Sequence, residues 1–370
     1  MKKKDFDNQS EFYSLEPILS KNATYNMIIG ERSNGKTYAV LKYSLQQWWE
    51  GKGQVAIVRR WKEDITGRRA SEIFASLNAN NELYKISKGK YQGVVYFAGR
   101  FFACNYDEEG KAIYNDQDVI GFCFALSEME HNKSISYPYI TTIMFDEFLT
   151  RNVYLNDEFV LFMNVISTIV RRRTDVKIFM LGNTVNKYSP YFKEMGLNHV
   201  LQMEQGSIDL YTYGTEGLTV AVEYCKAMAK SKQNNFYFAF NNPKLHMITN
   251  GAWELDIYPH CPYKYKPKDI IFVYFIVFND RIFQCEIVDA KGEYFTFIHN
   301  KTTPLQDESK DLIYTLEYHY ELNYSRNIRK PVNKLQERIL WFYKTDRVFY
   351  QDNEVGDAIS NYLKICGGVG

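Results

Sequence analysis

Short apolar runs recur along the first half of the chain, and stretches with helical spacing separate them. Apolar residues predominate in each run and do not strictly alternate with polar ones, which is typical of a strand buried on both faces of a sheet. Repeated strand and helix units predict an α/β domain built on a doubly wound sheet with mostly parallel strands. The strands are predicted at Tyr25–Ile29, Gln54–Arg60, Ile140–Asp146 and Val176–Leu181, and the helices at Thr37–Trp49 and Phe159–Val170.

The periodicity changes twice further along the chain. Between residues 91 and 125 short strands predict a β-rich extension of the first sheet. From about residue 205 glycines and a polar run interrupt the pattern, and Val220–Ala229 is predicted to form a helix there. We therefore predict a first domain at 1–205, a linker or lid module at 206–245 and a C-terminal domain at 246–370, since the chain is too long for one ordinary core.

The C-terminal domain begins with strands and ends with helices. Three apolar runs separated by short turns predict an antiparallel meander, at Ile270–Phe278, Ile282–Val288 and Tyr294–Ile298. Helices are predicted at Val332–Tyr343 and Val355–Cys366. This order of elements is compatible with an α+β fold of the RNase H type.

Composition removes several classes of protein. Hydrophobic content of 45% and charged content of 24% are globular values. A net charge of +1 means that any contact with nucleic acid uses local basic patches. The six cysteines form no C-x-x-C pair, so no zinc site is predicted, and scattered thiols fit a reducing cytosol. No apolar run suits a signal peptide or a transmembrane segment, so we expect a protein that is not secreted.

Gly30–Thr37, Gly-Glu-Arg-Ser-Asn-Gly-Lys-Thr, matches the phosphate-binding loop G-x-x-x-x-G-K-[ST] and lies between a predicted strand and a predicted helix. In such a loop the backbone N–H groups surround the phosphates, Lys36 reaches the β- and γ-phosphates, and the Thr37 hydroxyl holds Mg²⁺. Arg32 has two alternatives, the phosphates or a neighbouring subunit. The predicted ATP-binding residues are Gly30, Glu31, Arg32, Ser33, Asn34, Gly35, Lys36 and Thr37.

A second motif follows the predicted strand Ile140–Asp146, which ends in two adjacent acids. Asp146 can hold Mg²⁺ through water, and Glu147 can orient and polarise the attacking water. Together with the upstream loop, this pair predicts hydrolysis as well as binding. No N-K-x-D guanine signature stands out, which favours ATP. Asn183 follows the next strand and can contact the attacking water or the γ-phosphate.

Several short motifs now form one ordered set. They are Gly30–Thr37, Val58-Arg59-Arg60, Ser134–Pro138, Phe145-Asp146-Glu147-Phe148 and Leu181-Gly182-Asn183. The set resembles the genome-packaging (encapsidation) ATPases of small tailed bacteriophages with protein-primed DNA, which are terminase-like, additional-strand P-loop ATPases with a RecA/FtsK-HerA-like fold. The resemblance is good through residues 20–195 and looser, mainly in strand pattern, through 265–366.

The resemblance implies a ring motor, expected to be a homopentamer, that docks transiently on the portal (connector) of a procapsid in the host cytoplasm. Such a motor drives double-stranded DNA inward by hydrolysing ATP with Mg²⁺. A packaging RNA is a further candidate partner, and no membrane is involved. Two alternatives remain: an FtsK/HerA-type translocase or helicase, and a nucleotide-gated binding module on the capsid. Glu147 argues against the module, because a pure switch needs no acid that polarises water.

The resemblance also implies roles for single residues. Arg171, the first of Arg171–Arg173, falls where the family's trans-acting arginine finger lies; any of the three fits this role, and the run also fits a solvated helix end. Lys133 resembles a second basic residue offered to a neighbour's site. Lys62 falls in the loop that faces DNA in the central pore, and Asn183 resembles the coupling residue.

One departure concerns the C-terminal domain. Large terminases carry a two-metal nuclease there, which needs acids clustered near the centres and ends of strands. The run Ile270–Phe278 contains no acid, and Asp280, Glu286 and Asp289 only lie nearby. We therefore expect a vestigial nuclease domain that does not cut DNA.

Overall fold

The computed structural model describes residues 13–128, 136–150, 154–155, 157–184, 189–215, 217–226, 258–305 and 310–367. The chain divides into two compact units, Met1–Arg151 with Asp157–Trp253 and Glu254–Gly370 with Asn152–Asn156. Each unit is built on one β-sheet. None of the described helices is both long enough and apolar enough to cross a membrane.

The first unit contains a nine-stranded sheet with the strand order β3-β4-β5-β2-β6-β7-β1-β9-β8. The six strands from β5 to β9 in this order are parallel, and antiparallel strands flank them on both sides. The mostly parallel α/β sheet predicted from the sequence is confirmed. The strands are β1 (Tyr25–Gly30), β2 (Gln54–Arg59), β3 (Gly93–Phe97), β4 (Arg100–Tyr106), β5 (Ala112–Ala125), β6 (Ile140–Asp146), β7 (Lys177–Asn183), β8 (Ile208–Tyr213) and β9 (Leu218–Tyr224).

Helices cover this sheet with apolar faces. In α2 the residues Val40, Leu41 and Leu45 are buried, and in α6 Phe162 and Ile169 are buried, at the three- to four-residue spacing of a helix face. Both long helices were predicted, α2 from its helical spacing and α6 as an apolar helix. The helices are α1 (Glu16–Leu19), α2 (Lys36–Trp49), α3 (Gly67–Ser71), α4 (Ala75–Ala79), α5 (Glu82–Ile86), α6 (Glu158–Val170) and α7 (Pro190–Glu194).

The helix predicted over Val220–Ala229 is wrong for the part that the structure describes. That segment contains most of β9, which pairs in parallel with β1, with Tyr25 opposite Val220. Val220–Tyr224 is buried beside the central strand, and burial on both faces favours an extended β-branched run over a helix. The module predicted for 206–245 therefore begins as the last two strands of the first sheet.

The second unit contains a six-stranded sheet with the order β14-β13-β10-β11-β12-β15. The predicted antiparallel meander is confirmed in β10, β11 and β12. The short strands β13, β14 and β15 add parallel pairs that the sequence did not indicate. Its elements are β10 (Ile270–Phe278), β11 (Arg281–Ala290), β12 (Glu293–Lys301), β13 (Ile313–Thr315), β14 (Tyr324–Ser325), α8 (Lys334–Lys344), β15 (Val348–Tyr350) and α9 (Asn353–Gly367).

The close approach of β5 to β2 gives a test of the first sheet. A Cβ atom at Gly121 would lie 2.3 Å from the Val55 carbonyl oxygen, which cannot move without disturbing the pairing of the two strands. Gly121→Ala is expected to lower the free energy of unfolding by about 1–3 kcal/mol, as overpacking does. Urea unfolding measures the change.

Gly93→Ala is the matched control, because its nearest neighbour is the flexible end of Tyr106, 3.0 Å away. This substitution should cost less than about 1 kcal/mol. Equal losses in the two variants would show that the contact between Gly121 and Val55 does not limit packing.

Candidate active site

The phosphate-binding motif forms the turn between β1 and α2. Gly35 precedes the helix with a φ of 93°, a left-handed conformation that glycine adopts without strain. At Gly30 a Cβ atom would lie 2.8 Å from Cβ of Cys225 and 3.2 Å from the side-chain nitrogen of Asn34. Gly35 is therefore required by its backbone conformation, and Gly30 is required because a Cβ atom there would clash with its neighbours.

The Lys36 ammonium lies inside this turn and is buried, with 6% of the residue exposed. Nζ donates to the carbonyl oxygens of Glu31 (2.7 Å) and Gly30 (3.3 Å), and to Oδ1 of Asn34 (3.1 Å) and Asn183 (3.3 Å). Burial lowers the pKa of Lys36. Among the described residues the hydrogen-bond acceptors of this buried cation are all neutral, so an anionic acceptor would bind it more strongly, because a charge-assisted hydrogen bond is stronger. The turn therefore fits a polyphosphate.

The two predicted metal ligands meet beside the lysine. The Thr37 hydroxyl donates to Oδ1 of Asp146 over 3.2 Å. Asp146 is 6% exposed, and burial raises the pKa of its carboxyl, although the charge of Arg59 opposes the rise. A hydroxyl and a carboxylate that share one small space fit Mg²⁺, which takes oxygen ligands and retains several waters.

Arg59 joins the two acids of the second motif. Its guanidinium lies 2.7 Å from Oδ2 of Asp146 and 3.0 Å from Oε2 of Glu147. Its Nε is buried and has no hydrogen-bond acceptor among the described residues. The sequence placed Arg59 in the motif set but gave it no role. The missing information was strand order: β2 lies beside β6 with Val58 opposite Phe145, so the residue after Val58 meets the residue after Phe145.

Glu147 leaves the sheet in a left-handed conformation with a φ of 61°, and 63% of its side chain is exposed. Its carboxylate borders a cavity of about 420 Å³. A carboxylate beside open space next to a polyphosphate site has room to orient a water. The cavity is lined by Arg59, Asp64, Arg68, Arg69, Glu72, Ile73 and Glu147.

Three arginines follow α6, and the structure separates them. Arg173 donates to the carbonyl oxygens of Pro138 (3.1 Å), Ile140 (2.5 Å) and Ile169 (3.1 Å), so its guanidinium is held within its own chain. Arg171 and Arg172 are exposed at the end of the helix. Of the run Arg171–Arg173, these two have the position from which a side chain can reach another molecule.

Three of the remaining predicted site residues, Arg32, Ser33 and Lys62, are exposed and lie outside the buried interior of the phosphate turn. Arg32 and Ser33 are on the exposed side of the turn. Lys62 is exposed, and its ammonium lies 2.6 Å from Oε1 of Glu128. Lys133 lies outside the described residues.

The sequence of this chain is similar to sequences of known proteins. A family model described as "Podovirus DNA encapsidation protein (Gp16)" matches residues 7–205. The chain is 29% identical over 188 residues to the DNA packaging protein of Bacillus phage phi29, a match that covers 50% of each protein. It is 30% identical over 183 residues to the DNA packaging protein of Bacillus phage B103, covering 49% of this chain and 50% of the relative. The chain thus spans about half the length of the curated relatives it matches.

A solved structure shares the fold over a longer stretch. The structure described as the bacteriophage Phi-29 viral genome packaging motor assembly matches with a TM-score of 0.57 and 20% identity, and covers 96% of this chain and 100% of that chain. The family model includes the phosphate turn, Arg59, both acids and the arginines after α6. Because this match extends over more than half of the chain and contains the whole site described above, the chain belongs to the Podovirus DNA encapsidation protein (Gp16) family.

Proposed function

We propose that this chain is an ATP-hydrolysing motor that moves double-stranded viral DNA into a procapsid through the portal, to which it docks transiently in the host cytoplasm. One observation carries the proposal: the Thr37 hydroxyl and the Asp146 carboxylate are hydrogen-bonded beside a buried Lys36. The substrate of the motor follows from the names of the relatives, which are DNA packaging proteins.

The contacts of the site suit its residues to separate tasks. Phosphate oxygens would replace the neutral oxygens that Lys36 contacts, and Asp146, once free of Arg59, would hold Mg²⁺ together with Thr37. The metal would supply positive charge to the phosphates. Glu147, released from the same arginine, orients the attacking water. Asn183 contacts Nζ of Lys36 directly, which suits it to couple the nucleotide state to the end of β7.

Part of the site comes from a second subunit in this proposal. Arg171 ends a helix and is exposed, as is Arg172, and a guanidinium from a neighbour would stabilise the charge on the transferred phosphoryl group. We place Lys133 and Arg32 at the same subunit boundary, with Arg32 also able to reach the phosphates. Hydrolysis that requires a neighbour implies a closed ring, which we propose to be a homopentamer.

The DNA contact is proposed at Lys62. Its exposed ammonium is paired with Glu128, so a DNA phosphate has to compete with that carboxylate. The ion pair between Lys62 and Glu128 is exposed and therefore weak, so the ammonium could leave the carboxylate for a DNA phosphate and return in every cycle. A packaging RNA and the portal are the further partners that we propose.

We propose that the C-terminal domain, predicted at 246–370, is RNase H-like and has no nuclease activity. Its first strand contains no acid, and the nearest buried acid is engaged: Glu286 accepts from Tyr265 (2.7 Å), Gln284 (2.7 Å) and, at 3.3 Å, His299. A carboxylate with both oxygens occupied by side chains of the same unit is a structural group rather than a metal ligand.

The proposed function predicts ATP hydrolysis that double-stranded DNA and procapsids together stimulate strongly. Glu147→Gln should keep ATP affinity within about twofold and lower turnover by about 10²–10⁴-fold, because the amide cannot accept a proton from water. A phosphate-release assay and a nucleotide-binding titration measure the two quantities. Unstimulated turnover in the wild type, or wild-type turnover in the variant, would contradict the proposal.

Mixed rings test the shared site. Arg171→Ala and Lys36→Ala subunits should each be inactive alone, whereas a random one-to-one mixture should regain up to about a quarter of the sites, since each regained site needs one subunit of each kind across a heterologous interface. The same mixture made with Arg172→Ala decides between the two exposed arginines. Mixtures that remain as inactive as their parent subunits, with both arginine variants, would rule out a contribution in trans from either arginine.

Arg59 gives a prediction on pH. Arg59→Met removes the charge that opposes the rise in the Asp146 pKa, so this pKa should rise further. A carboxyl whose folded pKa exceeds its unfolded pKa stabilises the fold below the unfolded pKa and loses that contribution as pH rises through the folded pKa. Wild type and nucleotide-free variant should therefore lose stability together until pH reaches the raised pKa of Asp146 in the wild type, and above that pH only the variant should lose more, by about 1.4 kcal/mol per unit of added shift.

Urea unfolding at several pH values measures this difference, and Arg59→Lys, which keeps the charge, is the control. A Met variant whose free energy of unfolding runs parallel to that of the wild type between acid and neutral pH would show that Arg59 does not set the charge of Asp146.

A further inference from the structure

Arg60, the residue after β2, is the centre of a buried contact beside the phosphate site. Only 6% of it is exposed. Its Nε and Nη2 donate to Oε2 and Oε1 of Glu158 over 2.7 Å and 2.8 Å, so arginine and carboxylate form a two-pronged pair. Glu158 is in the first turn of α6, is 1% exposed, and also accepts from the Tyr191 hydroxyl over 2.8 Å.

The same guanidinium reaches the peptide of the proposed catalytic acid. Nη1 donates to the carbonyl oxygen of Glu147 over 3.2 Å, and Nη2 donates to that of Phe148 over 2.8 Å. On the other side of this turn the Phe148 N–H donates to the Leu181 carbonyl of β7. The turn after β6 is therefore held between a guanidinium and the neighbouring strand.

The backbone at Glu147 needs this support. Its φ of 61° is uncommon for a residue other than glycine and persists only where surrounding contacts impose it. The direction of the Glu147 side chain depends on that angle, because the Cβ moves when the peptide turns. A water-orienting carboxylate loses much of its effect when it is misplaced by about 1 Å.

A buried ion pair contributes little to stability compared with an apolar pair of similar volume, which would stabilise the fold about as well. The apolar pair would lack the directed hydrogen-bond donors. Arginine presents five N–H groups in a planar fork, and here one fork contacts a helix and two successive carbonyls at once. Lysine has the charge but not this geometry.

We propose that Arg60 is a positioning residue for hydrolysis: it fixes the backbone of Glu147 and joins it to the start of α6. This inference rests on the proposed ATPase function. It gives separate roles to the two adjacent arginines at the end of β2, which are Arg59, its last residue, and Arg60, the residue after it. Arg59 contacts the two carboxylates of the site, and Arg60 contacts the peptide that carries one of them.

The test compares Arg60→Lys with Tyr191→Phe in the full-length chain with double-stranded DNA. Arg60→Lys keeps the charge beside Glu158 but cannot hold both carbonyls, so kcat should fall by about 10–100-fold while the Kd for ATP stays within about twofold. Tyr191→Phe removes a hydrogen bond from the same carboxylate and leaves the Glu147 turn intact. It should lower Tm by a few degrees and keep kcat within about twofold.

Glu158→Asp supplies a second variant, because it keeps the ion pair and draws the guanidinium away from the two carbonyls. It should show the same loss of kcat with ATP affinity retained. Wild-type kcat in folded Arg60→Lys, or losses of kcat that follow the loss of Tm equally in all three variants, would overturn the inference. So would failure of both charge-preserving variants to fold at low temperature, since the pair would then be a requirement of folding.

The two proposals fail differently. If the wild-type chain hydrolyses no ATP, the proposed function is wrong and the positioning role falls with it. If the wild type is active and stimulated by DNA but Arg60→Lys matches it, only the positioning role is wrong.

Discussion

Parallel pairing between β1, β7, β6 and β2 brings the chemistry of the first unit to one edge of its sheet. Gly30 lies opposite Asn183, Asp146 opposite Leu181, and Val58 opposite Phe145. Side chains alternate between the faces of a strand, so a slip of one residue in any of these pairs would turn Asp146 or Arg59 to the wrong face. Because the strands are buried on both faces, such a slip would also move apolar side chains out of their packing.

Several charged side chains at this edge of the sheet are buried away from water. Lys36, Asp146, Arg60 and Glu158 are each less than a tenth exposed. Arg60 and Glu158 pair with each other, whereas the hydrogen-bond acceptors of Lys36 in the part of the chain that the structure describes are all neutral. Burial also raises the pKa of Asp146 in spite of Arg59. A desolvated charge without a full partner is costly. A ligand that supplies the missing charges then stabilises the folded state by its binding free energy, so nucleotide affinity and local order are linked.

Much of the first unit could be predicted because its central strands are predominantly apolar runs and its phosphate turn has a fixed spacing. The strand β9 was missed, since Val220–Tyr224 mixes small, β-branched and aromatic residues, a short run whose periodicity does not separate strand from helix. The contacts of Arg59 with Asp146 and of Lys62 with Glu128 were missed for a different reason. Both depend on which strands become neighbours, and partners more than sixty positions apart leave no local pattern.

The strand β6 and the helix α6 are tied together at both ends, which bears on how one site could act on the next. Near the carboxyl end of β6, Arg60 joins the Glu147 peptide to Glu158 in the first turn of α6. Near its start, Arg173 beyond the last turn of the helix donates to the carbonyl of Ile140. A helix of this length extends about 20 Å.

Two directed ties and a packed apolar face leave such a pair little freedom to bend, so it moves as one body. Glu147, for which we propose the role of orienting water, then shares a rigid element with the exposed Arg171 and Arg172 at the far end of the helix. Any shift of the Glu147 turn on nucleotide binding would therefore be carried to Arg171 and Arg172 as a change in position. In a closed ring, a rigid element of this kind communicates between sites by geometry and needs no flexible relay.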